Sequence, residues 1–499
     1  MALGTPAARP AVRLLAASVL RYGLFVPAPS CFAYSKSATT AVPPSIPPDR
    51  YRIRTAHRSF SCTQRRHQES ATPDKDPESK KSTEPQNPSH SPPEVLSQTP
   101  DPTLSTENES PFDYNTQEPY YDTSQYHTLP RTFGANQYMY INEELRQSLR
   151  QLLWEFKAPI RYAFAYGSGV FSQGTTSSKD KPMIDLIFGV TYTQHWHSLN
   201  LTEHRDHYSF LGRLGSGVVA RVQDGFGAGV YFNTYVELNG MMIKYGVVNL
   251  DTFCRDLTDW DTLYLAGRMH KPVKILRDDA RVRLANQANL LSALRVALLL
   301  LPEQFTEQQL YHTIAGISYM GDPRMNLFTE NPHKVSNIVA NQLPNFRRLY
   351  SPLVDTLPNM IFKNNPKNTV PKDTILLQDM DPVRRGNMVR RLPKTFRKRL
   401  YFQYQRKWQI PQLEYEKLVG SEEQERLEGR RGGQFEQRIA EDVAGIRKEV
   451  KAVINSTIGW PSTSQSVKGL FSTGWVKTWK YLQEKIKKWR SAKKSAGPS

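Results

Sequence analysis

Apolar residues recur at helical spacing over residues 141–156 (INEELRQSLRQLLWEF), with Asn142 placed to cap the first turn. The pattern then changes. IRYAFAYG (160–167), MIDLIFGV (183–190) and MMIKYGVV (241–248) are short apolar runs of strand type, and the glycine-rich stretch 217–232 reads as a tight strand and turn. LDTFCRDLTDWDTLYLAGRMHKPVKIL (250–276) predicts a helix, a second helix and a turn ended by Pro272. Helical spacing dominates from about 286: a buried helix, a break at Pro302, a second helix begun by Thr306 with Glu307 in its first turn, and a third over 332–354. Residues 357–433 read as loops with a little helix, and 435–458 as another amphipathic helix.

Composition divides the 499 residues further. Asp49 is the only acidic residue in 1–68, where arginine recurs from Arg9 to Arg66. That is the make-up of a mitochondrial presequence, with a disordered basic tail as the plain alternative. Residues 69–128 are rich in Pro, Ser, Thr, Asn and Gln and poor in large apolar side chains, so they read as a disordered linker. Of three cysteines, Cys31 and Cys62 lie in the first 68 residues. Loss of that segment leaves Cys254, which excludes an internal disulfide, and no CxxC pair points to structural zinc. The net charge of +19 includes basic clusters at 384–407 and 477–494, which suit nucleic acid or anionic lipid equally. No run reaches the roughly 18 apolar residues of a membrane span.

The chemistry centres on Asp185, set between apolar residues in MIDLIFGV. Strand alternation puts Met183, Asp185, Ile187 and Gly189 on one face. A buried carboxylate needs a partner. That partner is either a protein donor or a cation that bridges it to a phosphate, and the preceding turn favours the second. Gly167, Ser168 and Gly169 let the backbone approach a phosphate, and Ser168 adds a hydroxyl. Mg²⁺ binds through one or two carboxylates plus phosphate oxygens, so turn and aspartate together read as a metal–nucleotide site. Lys244, a cation in an apolar strand, is either the ion-pair partner of Asp185 or a charge for a triphosphate. A helix followed by two strands, with glycine closing the first, is the order of a nucleotidyltransferase half-domain. His195, His197, His204 and His207 invite a metal reading, and the HxH spacing of His195 and His197 would align two imidazoles on a strand face, but no companion ligands are evident, and hydrogen-bonding roles fit better.

The blocks FAYGSGVF, MIDLIFGV, WHSLNL, GAGVYFN, IKYGVV, LYLAGRMHKPVKIL, IAGISYMGD, LPKTF and VKGLFSTG resemble the mitochondrial CDP-diacylglycerol synthases of the translocator-assembly-and-maintenance type, which are phosphatidate cytidylyltransferases. The likeness runs from Thr132 to the end. It implies an α+β protein: a nucleotidyltransferase-like mixed sheet with flanking helices (129–285), a winged-helix-like helical domain with a basic irregular insertion (286–434), and C-terminal helices including an amphipathic one for the membrane (435–499). It further implies CTP and phosphatidate as substrates, Mg²⁺ as cofactor, a role in cardiolipin synthesis, and a peripheral place on the matrix side of the mitochondrial inner membrane. Carried over by position, Gly167 and Ser168 fall in the nucleotide loop and Asp185 in the metal position. Lys244, Arg268 and Lys271 become candidates for CTP or phosphatidate phosphates. The wider nucleotidyltransferase pattern pairs carboxylates two residues apart, but position 187 is isoleucine; Glu237 is the preferred second metal ligand, with Asp251 as the other acidic candidate.

Phe471, Trp475, Trp479, Leu482, Ile486 and Trp489 fall at steps of four and three, with lysines beside them, as in a helix lying in an anionic headgroup layer; docking on the protein's own core is the alternative. A nucleotidyltransferase acting on RNA and a non-catalytic scaffold for protein import are the competing functions. The lipid enzyme uses both the site and the tail, so no nucleic-acid partner is expected, and a homodimer stays open.

Overall fold

The computed structural model describes residues 112, 121, 123–171, 183–326, 333–364, 370, 373–420 and 431–473. The presequence, most of the linker and the stripe from Trp475 to Trp489 lie outside the described residues, which all fall in the unit Asp101–Ser499.

Asn142 accepts a hydrogen bond from the Glu144 N–H at 2.7 Å and starts α1 (Glu143–Trp154), as its position before an apolar-periodic run predicts. β1 (Tyr162–Tyr166) and β2 (Ile184–Val190) follow, then α2 (Thr193–Glu203) and α3 (Ser216–Gly225), then β3 (Val230–Leu238) and β4 (Met241–Asn249). α4 (Leu250–Asp259), the single turn α5 (Ala266–Met269) and β5 (Lys274–Arg277) complete this part. The five strands form one mixed sheet in the order β3-β4-β2-β1-β5, in which only β2 and β4 run parallel.

Alternation divides the sheet into two apolar faces. Ile184, Leu186, Phe188 and Val190 pack with Leu149, Leu152 and Trp196 on one side. Ile187, Phe164 and Phe232 join Phe253, Leu257 and the helices that follow on the other. Asp185 belongs to this second face, at the end where β2 begins.

α6 (Ala280–Leu300) is buried nearly all round, which explains its lack of a polar stripe. β6 (Gln304–Thr306) leads into α7 (Glu307–Ile317) through a capping box. The Thr306 hydroxyl accepts from the Gln309 N–H at 3.2 Å, and the Gln309 side chain accepts from the Thr306 N–H at 2.8 Å. α8 (Lys334–Val354) and the strands β7 (Met360–Phe362) and β8 (Ile375–Gln378) complete a small sheet in the order β6-β8-β7. Beyond them come α9 (Pro382–Arg390), α10 (Lys394–Lys407), α11 (Gln412–Val419), α12 (Gln434–Glu441) and the long α13 (Val443–Thr473).

Several expectations change. HWHSLN lies on α2, not on a strand, and 217–232 supplies a helix before its strand. β5 occupies part of the expected turn, and the described residues of 357–433 hold two strands and three helices. The basic run 384–407 spends much of its charge internally. Arg384 pairs with Asp379 at 3.1 Å, Arg390 with Glu436 at 3.0 Å and Lys407 with Asp442, while Arg385 and Arg397 are buried.

Two buried histidines tie stability to pH. His197 bridges Tyr208 and Gln223, each at 2.8 Å, and burial pushes it down to about 4. His270 donates to Asn289 at 2.9 Å; burial and then Lys271 push it down to about 3. Both folded values lie below the ordinary 6.5, so the unfolded chain takes up these protons first. Stability is therefore full above about pH 6.5 and falls as pH drops toward 4, by on the order of 3 kcal/mol for each histidine. Urea titrations at stepped pH check this, with His197→Gln expected to remove its share of the slope.

Candidate active site

Antiparallel pairing of β1 with β2 places Tyr166 opposite Asp185, and the parallel pairing of β2 with β4 places Lys244 beside Asp185 on its other side. Residues 184, 186 and 188 must face one core and 187 the other, so Asp185 and Lys244 emerge on a common face. Lys244 Nζ donates to Asp185 Oδ1 at 3.1 Å and lies 4.7 Å from the centre of the Phe232 ring. Lys244 thus takes the ion-pair reading. Both side chains keep a minor share of their surface open, 27% for Asp185 and 19% for Lys244, so the pair sits at a mouth and is not sealed in the core.

The glycine turn closes over the other carboxylate oxygen. Gly167 takes φ +83°, and a Cβ there would lie 3.4 Å from Asp185 Oδ2. A Cβ on Gly169 would meet the Met183 carbonyl at 2.7 Å. The two glycines therefore allow the turn to lie directly on the start of β2, and a side chain at 167 would fill the space facing the carboxylate. The turn's own hydrogen bonds run from Val170 and Phe171 to the Gly167 carbonyl, which leaves the N–H groups of Ser168 and Gly169 out of that bonding. Ser168 is exposed. With Oδ1 on Lys244, Oδ2 facing a Cβ-free space and both groups accessible, the donor set fits a small divalent cation.

A row of cations extends from this mouth. Arg268 Nε donates to the Tyr166 hydroxyl at 3.3 Å, its guanidinium lies 3.9 Å from the centre of the Tyr264 ring, and it also donates to the Tyr264 carbonyl. Lys271 donates to the Gly267 carbonyl and, at 2.7 Å, to the Ser318 hydroxyl. Lys271 and Lys334 both lie against the Tyr319 ring, at 5.1 and 5.3 Å. Burial, with Arg268 and Lys334 adding like charge, holds Lys271 well below the ordinary lysine value. Tyr166 links the two groups. Burial raises its hydroxyl, while Arg268, Asp185 and Lys244 all act on it.

The loop that leads to Arg268 is held by Asp256, which sequence reasoning missed. Buried on α4, its Oδ1 accepts from Thr262 N–H and hydroxyl and from Leu263 N–H at 2.8–3.0 Å, and its Oδ2 from Leu265 and Ala266 N–H at 2.9 and 3.0 Å. The loop it clamps holds Trp260 and Leu263 at φ 57° and 55°, a conformation that costs side-chain-bearing residues energy. Arg268 stands on the turn that follows. Lys334 was also missed, because only tertiary packing brings it beside Lys271.

The remaining candidates are placed as follows. The register sets Glu237 beside Met242, two residues before Lys244, on the face that carries Asp185; its side chain is exposed. Asp251 pairs with Arg281 past the far end of β4, about 20 Å along the strands from Asp185, so it is no partner for that carboxylate. Tyr245 lies in the opposite core. His204, Asp206 and His207 gather in one place, but the imidazoles stack with 2° between their planes and centres 4.5 Å apart. An imidazole's donor lone pair lies in its ring plane, and no one ion lies in both planes. His204 instead bonds the Glu155 carbonyl at 3.1 Å, and His207 the Tyr245 hydroxyl at 2.8 Å.

A carboxylate–lysine pair under a glycine turn, continued by three cations set among tyrosines, is the equipment of an enzyme that handles phosphate groups. The family described as mitochondrial phosphatidate cytidylyltransferase matches residues 149–488. A Schizosaccharomyces pombe protein of that name is 38% identical over 357 residues, covering 71% of this chain and 86% of the relative. Its namesake from Danio rerio is 37% identical over 346 residues, covering 68% and 94%. One from Saccharomyces cerevisiae is 46% identical over a shorter match of 233 residues, covering 46% and 60%. The chain belongs to the mitochondrial phosphatidate cytidylyltransferase family.

Proposed function

We propose that the protein transfers the cytidylyl group of CTP to phosphatidate, giving CDP-diacylglycerol and pyrophosphate for cardiolipin synthesis at the matrix face of the mitochondrial inner membrane. The observation that carries this is the Asp185–Lys244 pair beneath the Gly167 turn, with Arg268, Lys271 and Lys334 alongside. Family membership supplies the substrate class. In this reading the five-stranded sheet is nucleotidyltransferase-like, and the helices around β6, β7 and β8 are winged-helix-like. No helix among the described residues is long and apolar enough to cross a membrane, which is compatible with peripheral attachment.

A phosphate oxygen of phosphatidate attacks the α-phosphorus of CTP, the α–β phosphoanhydride bond breaks, and pyrophosphate leaves. The second ionisation of a phosphate monoester lies near ~6, so the nucleophile is already charged and no general base is needed. What the protein must supply is in-line positioning and neutralisation of charge. The turn from Gly167 to Gly169 seats the triphosphate, with Ser168 as an added donor. Lys244 holds Asp185 in place and offers positive charge at the mouth. Asp185, with Glu237 from the same face, would hold Mg²⁺, which when bound draws charge from the phosphate oxygens. Arg268, Lys271 and Lys334 face the phosphates that arrive and leave.

Incubating the full chain with labelled CTP, Mg²⁺ and phosphatidate vesicles tests the reading. Labelled CDP-diacylglycerol is expected, and its absence with protein that binds CTP would overturn it. Lys271→Ala is expected to raise KM for a phosphate substrate about tenfold or more, the loss of one contact that becomes charge-assisted when an arriving phosphate offsets the burial and like charge that hold Lys271 down, with a smaller change in kcat. Initial-rate series in each substrate separate the two constants.

A further inference from the structure

α13 presents two faces of different chemistry over its last turns. Gln465, Lys468 and Ser472 are buried against the body. Lys468 donates to the carbonyls of Phe226 at 2.6 Å and Gln223 at 3.1 Å, and Gln465 to that of Val230 at 3.0 Å. From the body side, the Ser209 hydroxyl donates to the Phe471 carbonyl at 2.8 Å. These bonds fasten two segments, one around Ser209 and one from Gln223 to Val230, along the inner side of the helix. The outer face is apolar and open. Trp460, Val467 and Phe471 stand seven and four residues apart on one stripe, with Trp460 70% exposed and Phe471 50%. The fastened segments add Phe226, 65% exposed, and, beside Ser209, Phe210 and Leu214, at 50% and 59%.

We infer that Phe210, Leu214, Phe226, Trp460, Val467 and Phe471 form one membrane-insertion face that seats the folded body on an anionic bilayer. Two observations choose that occupant. Past this face the sequence continues the stripe at steps of four and three with Trp475, Trp479, Leu482, Ile486 and Trp489. The stripe read from the sequence as starting at Phe471 thus extends back to Trp460, inside the folded protein. Arg205, Arg213 and Arg221 are exposed on or beside the same segments, as are Asp206 and Asp224, which leaves a small positive excess there, and the sequence beyond adds Lys477, Lys480, Lys485, Lys487, Lys488 and Arg490. Anionic headgroups neutralise this cationic excess while the aromatics enter the acyl boundary. The inference rests on the lipid-enzyme reading and deepens it: the body, and not the tail alone, is held at the surface from which the substrate comes.

The test uses the full chain and a Leu214→Ser/Phe226→Ser/Trp460→Ser variant in flotation with phosphatidylcholine vesicles, with and without phosphatidylglycerol, which is not the substrate. Wild type is expected to float with the anionic vesicles, and the variant to partition on the order of tenfold less or lower still. The variant's rate on vesicle-borne phosphatidate should fall with partition, while its rate on a water-soluble short-chain phosphatidate stays at the wild-type level. Equal flotation of the two proteins overturns the inference. So does a change from dimer to monomer in the variant without loss of flotation, which makes the face a contact between copies. Arg213→Glu/Arg221→Glu, which leaves the apolar groups in place, gives the same decision through loss of anionic binding should the serine variant fold poorly. If wild type floats but turns over neither substrate, the cytidylyl-transfer reading fails and the membrane face stands.

Discussion

Asp185→Asn is expected to lower cytidylyl transfer by about 10³-fold or more, the scale on which removing a group that stabilises developing charge acts. Asparagine keeps the size of the side chain and an oxygen that accepts from Lys244 Nζ, so the strand register and the apolar faces remain. What disappears is the negative charge beneath the Gly167 turn. The stability change should be small, about 1 kcal/mol or less, because both members of the pair retain contact with solvent. Turnover of labelled CTP together with a thermal melt distinguishes loss of chemistry from loss of fold. A variant within tenfold of wild-type rate would show that Asp185 serves only as the counter-ion of Lys244.

Asp256→Ala should have the largest effect on stability. Its carboxylate accepts from four backbone N–H groups and one hydroxyl while only 5% exposed, so alanine strands those donors in the interior. Such bonds are worth about 1.5–3 kcal/mol each and do not add in full; a loss of about 4 kcal/mol is expected. The clamp also holds the left-handed residues Trp260 and Leu263, and the next turn carries Arg268. Residual folded enzyme should therefore show weakened phosphate binding as well. Urea denaturation reads the first effect and the KM for CTP or phosphatidate the second. Asp256→Asn, which restores an acceptor but no charge, should fall between.

The parts of this site that were legible in the sequence are those that depend on local pattern. Period-two alternation around Asp185 and Lys244 brought out both residues, and alternation survives folding because each face packs a different core. Asn142 and Thr306 began their helices for the same local reason. What could not be read was decided over distance. Asp256 clamps N–H groups six to ten residues ahead, a span with no repeat, and its cue was only an acidic residue before a stretch lacking hydrophobic period. Lys334 reaches Lys271 through packing between α8 and the loop after α7. β5, β6 and β7 are three or four residues long, too short for period to separate them from turns. HWHSLN shows almost no helical asymmetry because α2 buries Trp196, His197 and Asn200 together.

The juxtaposition of Asp185 and Lys244 depends on which residue of β2 lies beside which residue of β4. A slip of one position would send the two charges to opposite sides of the sheet and press one of them into hydrocarbon. Under the proposed function, catalytic competence and correct strand alignment become a single event for this chain. Specific activity after dilution from denaturant should then count correctly paired molecules, a gauge of refolding fidelity that compactness or helical content alone would not give.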